Sequence, residues 1–305
     1  MVPTLRALHH ADGALARFHG GGRGADGVFD QALAVAGLPA DGPTRDICMG
    51  FGRLAQGKTT LIGDAKAPPQ GIASMGAHAS TGGFEMTVGS HPVIVNCGSG
   101  ASFDAPWRLA GRATPSHSAL TVDGMSSSRF TAGGGTHRRA LSDVPQMAVA
   151  DYTRAIDGAR LKISHDGYRQ THGLVAMRTI DMGLDGTRVT GEDQLIADTG
   201  KDRHGRNTLR FTPETPPQAQ VRFHIHPDVQ VRLDLGGSAV SLTLKNGQVW
   251  VFRHDGTAML SLEPSVYLQH HRVHPRATDQ IVLSWDVTGP DTHVRWSLAK
   301  AGESA

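Results

Sequence analysis

The chain has 305 residues, 39% of them hydrophobic and 19% charged, which supplies a sizeable core and excludes disorder from excess charge. Its formal net charge is only +2 and no Lys/Arg tract stands out, so the electrostatic footprint of a nucleic-acid binder is absent. Two cysteines, Cys48 and Cys97, make neither a disulfide framework nor a zinc ribbon, whereas 17 histidines direct attention to metal or acid–base chemistry.

The first 15 residues lack the apolar run of an export signal, and no stretch of the sequence approaches a membrane span. A short helix is predicted from Asp26 or Gly27 through Phe29, Leu33, Ala34 and Val35, stopped by Gly37 and Pro39. Residues 52–59, Gly-Arg-Leu-Ala-Gln-Gly-Lys-Thr, match the phosphate-loop formula G-x-x-x-x-G-K-[ST]. That motif needs a following helix whose N-terminal amides face the phosphates. Here Thr60-Leu61-Ile62-Gly63-Asp64 runs into Pro68-Pro69, a strand and a proline loop, so 51–55 and 59–62 are predicted as a hairpin closed at Gln56-Gly57-Lys58.

Further hairpins follow in order. Phe84-Met86-Val88 leads through Gly89-Ser90-His91-Pro92 into Val93-Ile94-Val95, and 174–181 pairs with 187–197 across Leu184-Asp185-Gly186. Turn dipeptides recur at Asp123-Gly124, Asp157-Gly158, Asp185-Gly186, Gly236-Gly237, Asn246-Gly247 and Asp255-Gly256. Between the last of them lie alternating segments such as Val240-Leu242-Leu244, Val249-Val251 and Met259-Leu260-Leu262. Residues 131–144 and 199–207 read as loops. The expected architecture is all-β, a large antiparallel β-sandwich of stacked sheets with one short N-terminal helix. Residues 1–40 form a linker or exit segment and 41–305 the sandwich.

Several residues are candidates for chemistry. His224 and His226 are two apart, so they share one face of a strand and leave Phe223 and Ile225 to the core, with Pro227 ending the strand near a sheet rim. A pair of imidazoles there can bind a metal, contact a substrate or sit half exposed. In Ser164-His165-Asp166-Gly167-Tyr168, a phenol beside a histidine is able to serve as a base, but the reading in which Tyr168 anchors the turn is favoured. Arg108, Arg112, Arg129, Arg138 and Arg139 gather around one strand and the loop after it, either as one wall of a groove for an anionic chain or as a solvated edge. No G-x-S-x-G elbow occurs, and Cys97 on its apolar strand reads as a small buried hydrophobe.

Four segments carry a resemblance to a known family. They are Gly76-Ala77-His78-Ala79-Ser80 with Phe84-Glu85-Met86 and Val93 to Gly98; Ser116-His117-Ser118-Ala119-Leu120-Thr121-Val122-Asp123-Gly124; Ser164 to Tyr168 with Arg178 to Asp181 and Gly191-Glu192-Asp193; and Arg222-Phe223-His224-Ile225-His226-Pro227 with Ser265-Val266-Tyr267. Their order and spacing resemble the β-sandwich half of bacterial heparinase II/III-like proteins. The resemblance implies a polysaccharide lyase acting by β-elimination on uronate-containing acidic polysaccharide, in the periplasm or cell envelope. It also implies an N-terminal α/α toroid, to which residues 5–19 would be the exit, that supplies the catalytic tyrosine and histidine. The toroid is not in this chain, so the sandwich by itself is expected to lack catalysis; a non-catalytic polysaccharide-binding or scaffolding sandwich is the alternative.

By the same resemblance His78 is the candidate catalytic residue, and His117, Asn96, His165, Tyr168, His224 and His226 are candidates for substrate contact; Arg112 joins them from the grouping of arginines, which the resemblance does not name. A structural zinc is implied, with His78 and His117 as ligands. Here, however, Asn96 stands in place of the family's aspartate, Gly76 in place of its first histidine and Ser80 in place of the turn's aspartate. A neutral amide offers no charge to offset the cation's desolvation, so metal is the weaker reading.

Overall fold

The protein is described by a computed structural model covering residues 2–20, 22–25, 27–39, 46–132, 139–198, 211–212, 214–269 and 272–302. Arg138 and the predicted loop at 199–207 lie outside the described residues, as does Asp26 at the predicted helix start.

In chain order, α1 (Val2–Ala7) and α2 (Val28–Val35) precede the strands. The first group of strands is β1 (Ile47–Cys48), β2 (Phe51–Gln56), β3 (Thr59–Asp64), β4 (Phe84–Val88) and β5 (His91–Val95). After α3 (Ala105–Ala110) comes β6 (Leu120–Val122), and then a small hairpin of β7 (Arg129–Phe130) and β8 (Leu141–Ser142). The chain then lays down β9 (Ala148–Ala155), β10 (Gly158–Tyr168), α4 (Arg169–His172), β11 (Leu174–Gly183) and β12 (Arg188–Ala197). It finishes with β13 (Gln218–Ile225), β14 (Gln230–Asp234), β15 (Ala239–Thr243), β16 (Val249–His254), β17 (Met259–Tyr267), β18 (Arg276–Asp286) and β19 (Asp291–Lys300).

Two large antiparallel sheets result. The first has the order β1-β2-β3-β4-β5-β13-β18-β17, with β6 beside β13, and the second the order β14-β15-β16-β19-β12-β11-β10-β9. This is the expected sandwich. The core lies between the sheets because each strand alternates: Phe84 and Met86 on β4, Val221, Phe223 and Ile225 on β13, and Val294, Trp296 and Leu298 on β19 all face inward. Trp296 is stacked against Phe84 (5.8 Å, 5°) and Phe252 (6.1 Å, 16°), a three-ring column joining the two sheets.

Residues 52–59 form no phosphate loop. β2 and β3 pair from Phe51–Asp64 to Gln56–Thr59, and the turn between them carries Gly57 at φ +53°. A Cβ on Gly57 would lie 2.1 Å from the Asp185 carbonyl oxygen, and Thr59 donates to the Gly186 carbonyl at 2.6 Å. The Gly-Lys-Thr run is therefore the place where a turn of one sheet touches a turn of the other. The register of β11 on β12, Leu174 opposite Ala197, is that of the predicted hairpin.

Three details differ from the sequence reading. On β16 it is Trp250 and Phe252 that face the core, while Val249 and Val251 lie on the other face, because the bulky aromatic residues fill the space between the sheets. Among the described residues three short α-helices besides α2 are present; α3 is capped by the Asp104 carboxylate, which accepts from the Trp107 N–H, and carries Pro106 at its start. The loop at 131–144 contains β8, paired to β7 through Arg129–Ser142 and Phe130–Leu141.

Candidate functional site

The candidate residues converge on the outer face of the first sheet. On β4 the side chains opposite Phe84 and Met86 are Glu85 and Thr87, both buried, because residues 8–20 run across them. Arg17 pairs with Glu85 at 3.3 Å and His10 approaches the same carboxylate at 3.6 Å. The Glu85 carboxyl is held down at about 2, since the charge of Arg17 and the contact with His10 outweigh the burial that by itself would raise it. Further along, His19 reaches Asp64 at 3.0 Å and the Ser80 hydroxyl donates to Asp64 at 2.6 Å. A polar layer is thus sealed between the sheet and the N-terminal segment. Sequence reasoning missed Glu85, Arg17, His10 and Asp64 as a group; a lone acid inside the apolar strand Phe84-Glu85-Met86 was the available signal.

The hydrogen bonds fix the tautomers of the central histidines. The Ala113 carbonyl can only accept, so His117 donates to it from Nδ1 at 2.9 Å, and its Nε2 accepts from His78 Nδ1 at 2.9 Å. His78 Nε2 is buried without a partner among the described residues. His224 donates from Nε2 to the Pro115 carbonyl at 2.9 Å and accepts at Nδ1 from the Ser265 hydroxyl at 2.7 Å. Burial drives all three toward the neutral form, His117 to about 4, His224 to about 3 and His78 well below its ordinary value. Asn96, fully buried, is held at both ends of its amide: it donates to Glu85 at 3.2 Å and accepts from the Ser118 N–H at 3.0 Å.

The remaining candidates lie elsewhere. His165 is buried beside a cavity of only 10 Å³, accepts from the Gly167 N–H at 3.2 Å and is lowered to about 4 by burial. Tyr168 is fully buried and donates to the Leu120 carbonyl at 2.7 Å; burial raises its phenol far above the ordinary value, so it anchors the turn. Arg112 is buried and donates to three carbonyls, those of Ala77, Ser74 and Arg139, at 2.7–2.8 Å, while its plane covers the Phe130 ring. Arg129 pairs with Asp143 and Arg108 donates to the Ala101 carbonyl, so these arginines do not line one groove. His226 follows the last residue of β13 at the sheet rim, edge-on to Tyr267 at 4.9 Å.

The comparisons with known proteins follow this architecture. The family described as "Heparinase II/III-like, C-terminal" matches residues 48–297. The chain belongs to the heparinase II/III-like C-terminal family. Its sandwich superposes on a heparan sulfate lyase, HepC, from Pedobacter heparinus with a TM-score of 0.69 at 14% identity, covering 98% of this chain and 46% of that one. Heparinase III gives a TM-score of 0.65 at 11% identity, covering 99% and 47%. These identities establish a shared fold. Among curated proteins, "FtsZ-localized protein C" of Caulobacter vibrioides is 29% identical over 300 residues, 95% of this chain and 49% of that protein. The chain spans about half the length of these relatives.

The zinc implied for this heparinase-type sandwich does not fit the residues present. Zinc bonds of about 2.0–2.1 Å require ligand lone pairs aimed at one common point. Here His78 Nδ1 and His117 Nε2 satisfy each other, His117 Nδ1 is spent on the Ala113 carbonyl and Asn96 on Glu85 and Ser118, which leaves His78 Nε2 as the one nitrogen of the pair without a partner among the described residues. Among the described residues no three His, Cys, Asp or Glu side chains gather as a metal site. No helix among them is long and apolar enough to cross a membrane.

Proposed function

We propose that this heparinase-type sandwich is a non-catalytic module that holds a neighbouring domain or partner in place, in a protein positioned with FtsZ. One observation carries the reading: the groups that would serve as acid or base are buried in the fold and, His78 Nε2 apart, spent on its own hydrogen bonds. β-Elimination needs a base that reaches the substrate and a donor for the leaving oxygen. His117, His224 and Tyr168 have their polar atoms bonded internally, and Tyr168 is far from ionising at neutral pH. The placement rests on the name of the curated relative, FtsZ-localized protein C, of which the chain matches about half.

The second reading, one wall of the cleft of a lyase acting on uronate polysaccharide in the cell envelope, is favoured by the fold shared with heparan sulfate lyases. Two measurements separate them. The full-length protein is incubated with a panel of uronate polysaccharides while ultraviolet absorbance follows the unsaturated product, and a fluorescent fusion is imaged beside labelled FtsZ. No product together with co-localisation is the expected result. Product that is lost on His78→Ala would overturn the non-catalytic reading, and a fusion that spreads around the envelope independently of FtsZ would overturn the placement.

A further inference from the structure

Four segments distant in sequence meet at the turn end of the β4–β5 hairpin, and a cavity of 180 Å³ opens between them. Asp12 and Arg23 come from the N-terminal segment, His91 from the hairpin turn, His226 and Asp228 from the end of β13, and Lys245 from the turn after β15. Asn96 and the His78–His117 pair lie at the other end of that hairpin, about 17 Å away at the rise of an extended strand. The cavity therefore opens beside the sealed polar layer, with which it shares Asp12 of the N-terminal segment, and away from the His78–His117 pair.

Its charges are already matched. Asp12 faces Arg23 at 3.6 Å, and Asp228 holds Lys245 at 2.8 Å and Arg276 at 2.7 Å. An anion entering the cavity would have to take Lys245 and Arg276 from Asp228 while facing two carboxylates. A cation would meet the two basic side chains of the lining, Arg23 and Lys245. Each exchange breaks a formed ion pair without desolvation being recovered. An uncharged ligand rich in hydroxyls breaks none: it donates to the spare lone pairs of the carboxylates and accepts from spare N–H groups.

One such donor is built in. His226, 6% exposed, accepts at Nδ1 from the Asp228 N–H at 3.2 Å, which puts its proton on Nε2, and no acceptor among the described residues meets that proton. Burial and the charge of Arg17 lower His226 to about 4, so it stays a neutral donor at pH 7. Pro92, Val229 and Leu244 supply an apolar wall for the C–H face of a ring. The volume is below the roughly 300 Å³ at which drug-sized pockets begin, so one ring fits and a buried chain does not.

We infer that this cleft is a subsite for one uncharged sugar ring, as a free unit or as the end of a longer glycan. The inference goes beyond the scaffolding role and stands whether or not the protein localises with FtsZ. The test is saturation-transfer NMR on the purified chain with methyl glycosides of glucose, galactose and N-acetylglucosamine, beside glucuronic acid and glucosamine. At least one neutral glycoside is expected to bind in the millimolar range, with the charged sugars weaker by about tenfold or more. Binding should vanish in Lys245→Ala, an exposed position that leaves the fold intact, and in His226→Leu, which removes the donor. Asp228→Asn frees two cations and should shift the preference toward glucuronic acid. Absence of any neutral-sugar signal, tighter binding of a charged sugar by the native chain, or neutral-sugar binding that survives both Lys245→Ala and His226→Leu overturns the inference.

Discussion

Arg17 lays its guanidinium 3.3 Å from the Glu85 carboxylate and also donates to it from its own backbone N–H at 3.1 Å. Both side chains are buried, and the same guanidinium covers the Tyr267 ring at 4.3 Å. Through this pair the N-terminal segment becomes part of the sandwich. Removing one member leaves the other as an uncompensated buried charge. Arg17→Met is expected to cost about 3–5 kcal/mol in urea unfolding, and Arg17→Met combined with Glu85→Gln, whose amide oxygen still accepts from Asn96, should recover part of the loss.

The buried histidines set the acid sensitivity of the fold. His117, His165 and His224 sit at about 4, 4 and 3 in the folded state, below the ordinary value of about 6.5 that they regain on unfolding. Between these limits the unfolded chain binds more protons, so stability falls as pH drops from about 6.5 toward 4, by up to about 1.4 kcal/mol per pH unit for each histidine. Glu85, depressed to about 2, adds its own loss from its ordinary range downward. Urea midpoints measured from pH 7.5 to pH 4 (a span of about 3.5 pH units) should fall steadily. A flat profile above pH 5 (about one unit above the His117 value) would mean that the histidines are not buried as described.

Asn96→Asp tests the metal question from the opposite side. The new carboxylate would face Glu85 where the Asn96 amide now donates at 3.2 Å, bringing two buried acids together. Loss of about 1–3 kcal/mol is expected, measured as a lower unfolding midpoint. In the native chain neither zinc nor a chelator should move that midpoint. Rescue of the variant by zinc would show that the loss of this acid is what separates the chain from a metal-holding relative.

Gly191 admits the Trp296 ring. A Cβ there would lie 2.1 Å from the indole, which the rings of Phe84 and Phe252 hold in place. Gly191→Ala should therefore cost about 1–3 kcal/mol and change the tryptophan fluorescence, whereas alanine at the open Gly289 position should do neither.

Tyr168→Phe removes the donor to the Leu120 carbonyl and should lower stability by about 1 kcal/mol without affecting sugar binding at the distant cleft. Calorimetric melting of the two proteins checks the first part and the NMR titration the second.

Much of the fold was legible because its signals are local. Alternation put Phe223 and Ile225 in the core and His224 on the outer face, and glycine turns such as Asp185-Gly186 placed the hairpins without reference to the rest of the chain. The broken context after Thr59 dismissed the phosphate loop for the same reason. What lay beyond the sequence was every relationship between segments. Arg17 on Glu85, Arg178 on Asp193 and Arg112 on three carbonyls join residues 15 to 68 positions apart, and strand periodicity is silent on which charged groups meet. A histidine reads the same whether it faces solvent or a carbonyl. Only the tertiary structure, by burying His78, His117 and His224 against acceptors of the chain itself, decided that they hold the fold together, because the protonation of an imidazole is set by what surrounds it and not by its place in the sequence.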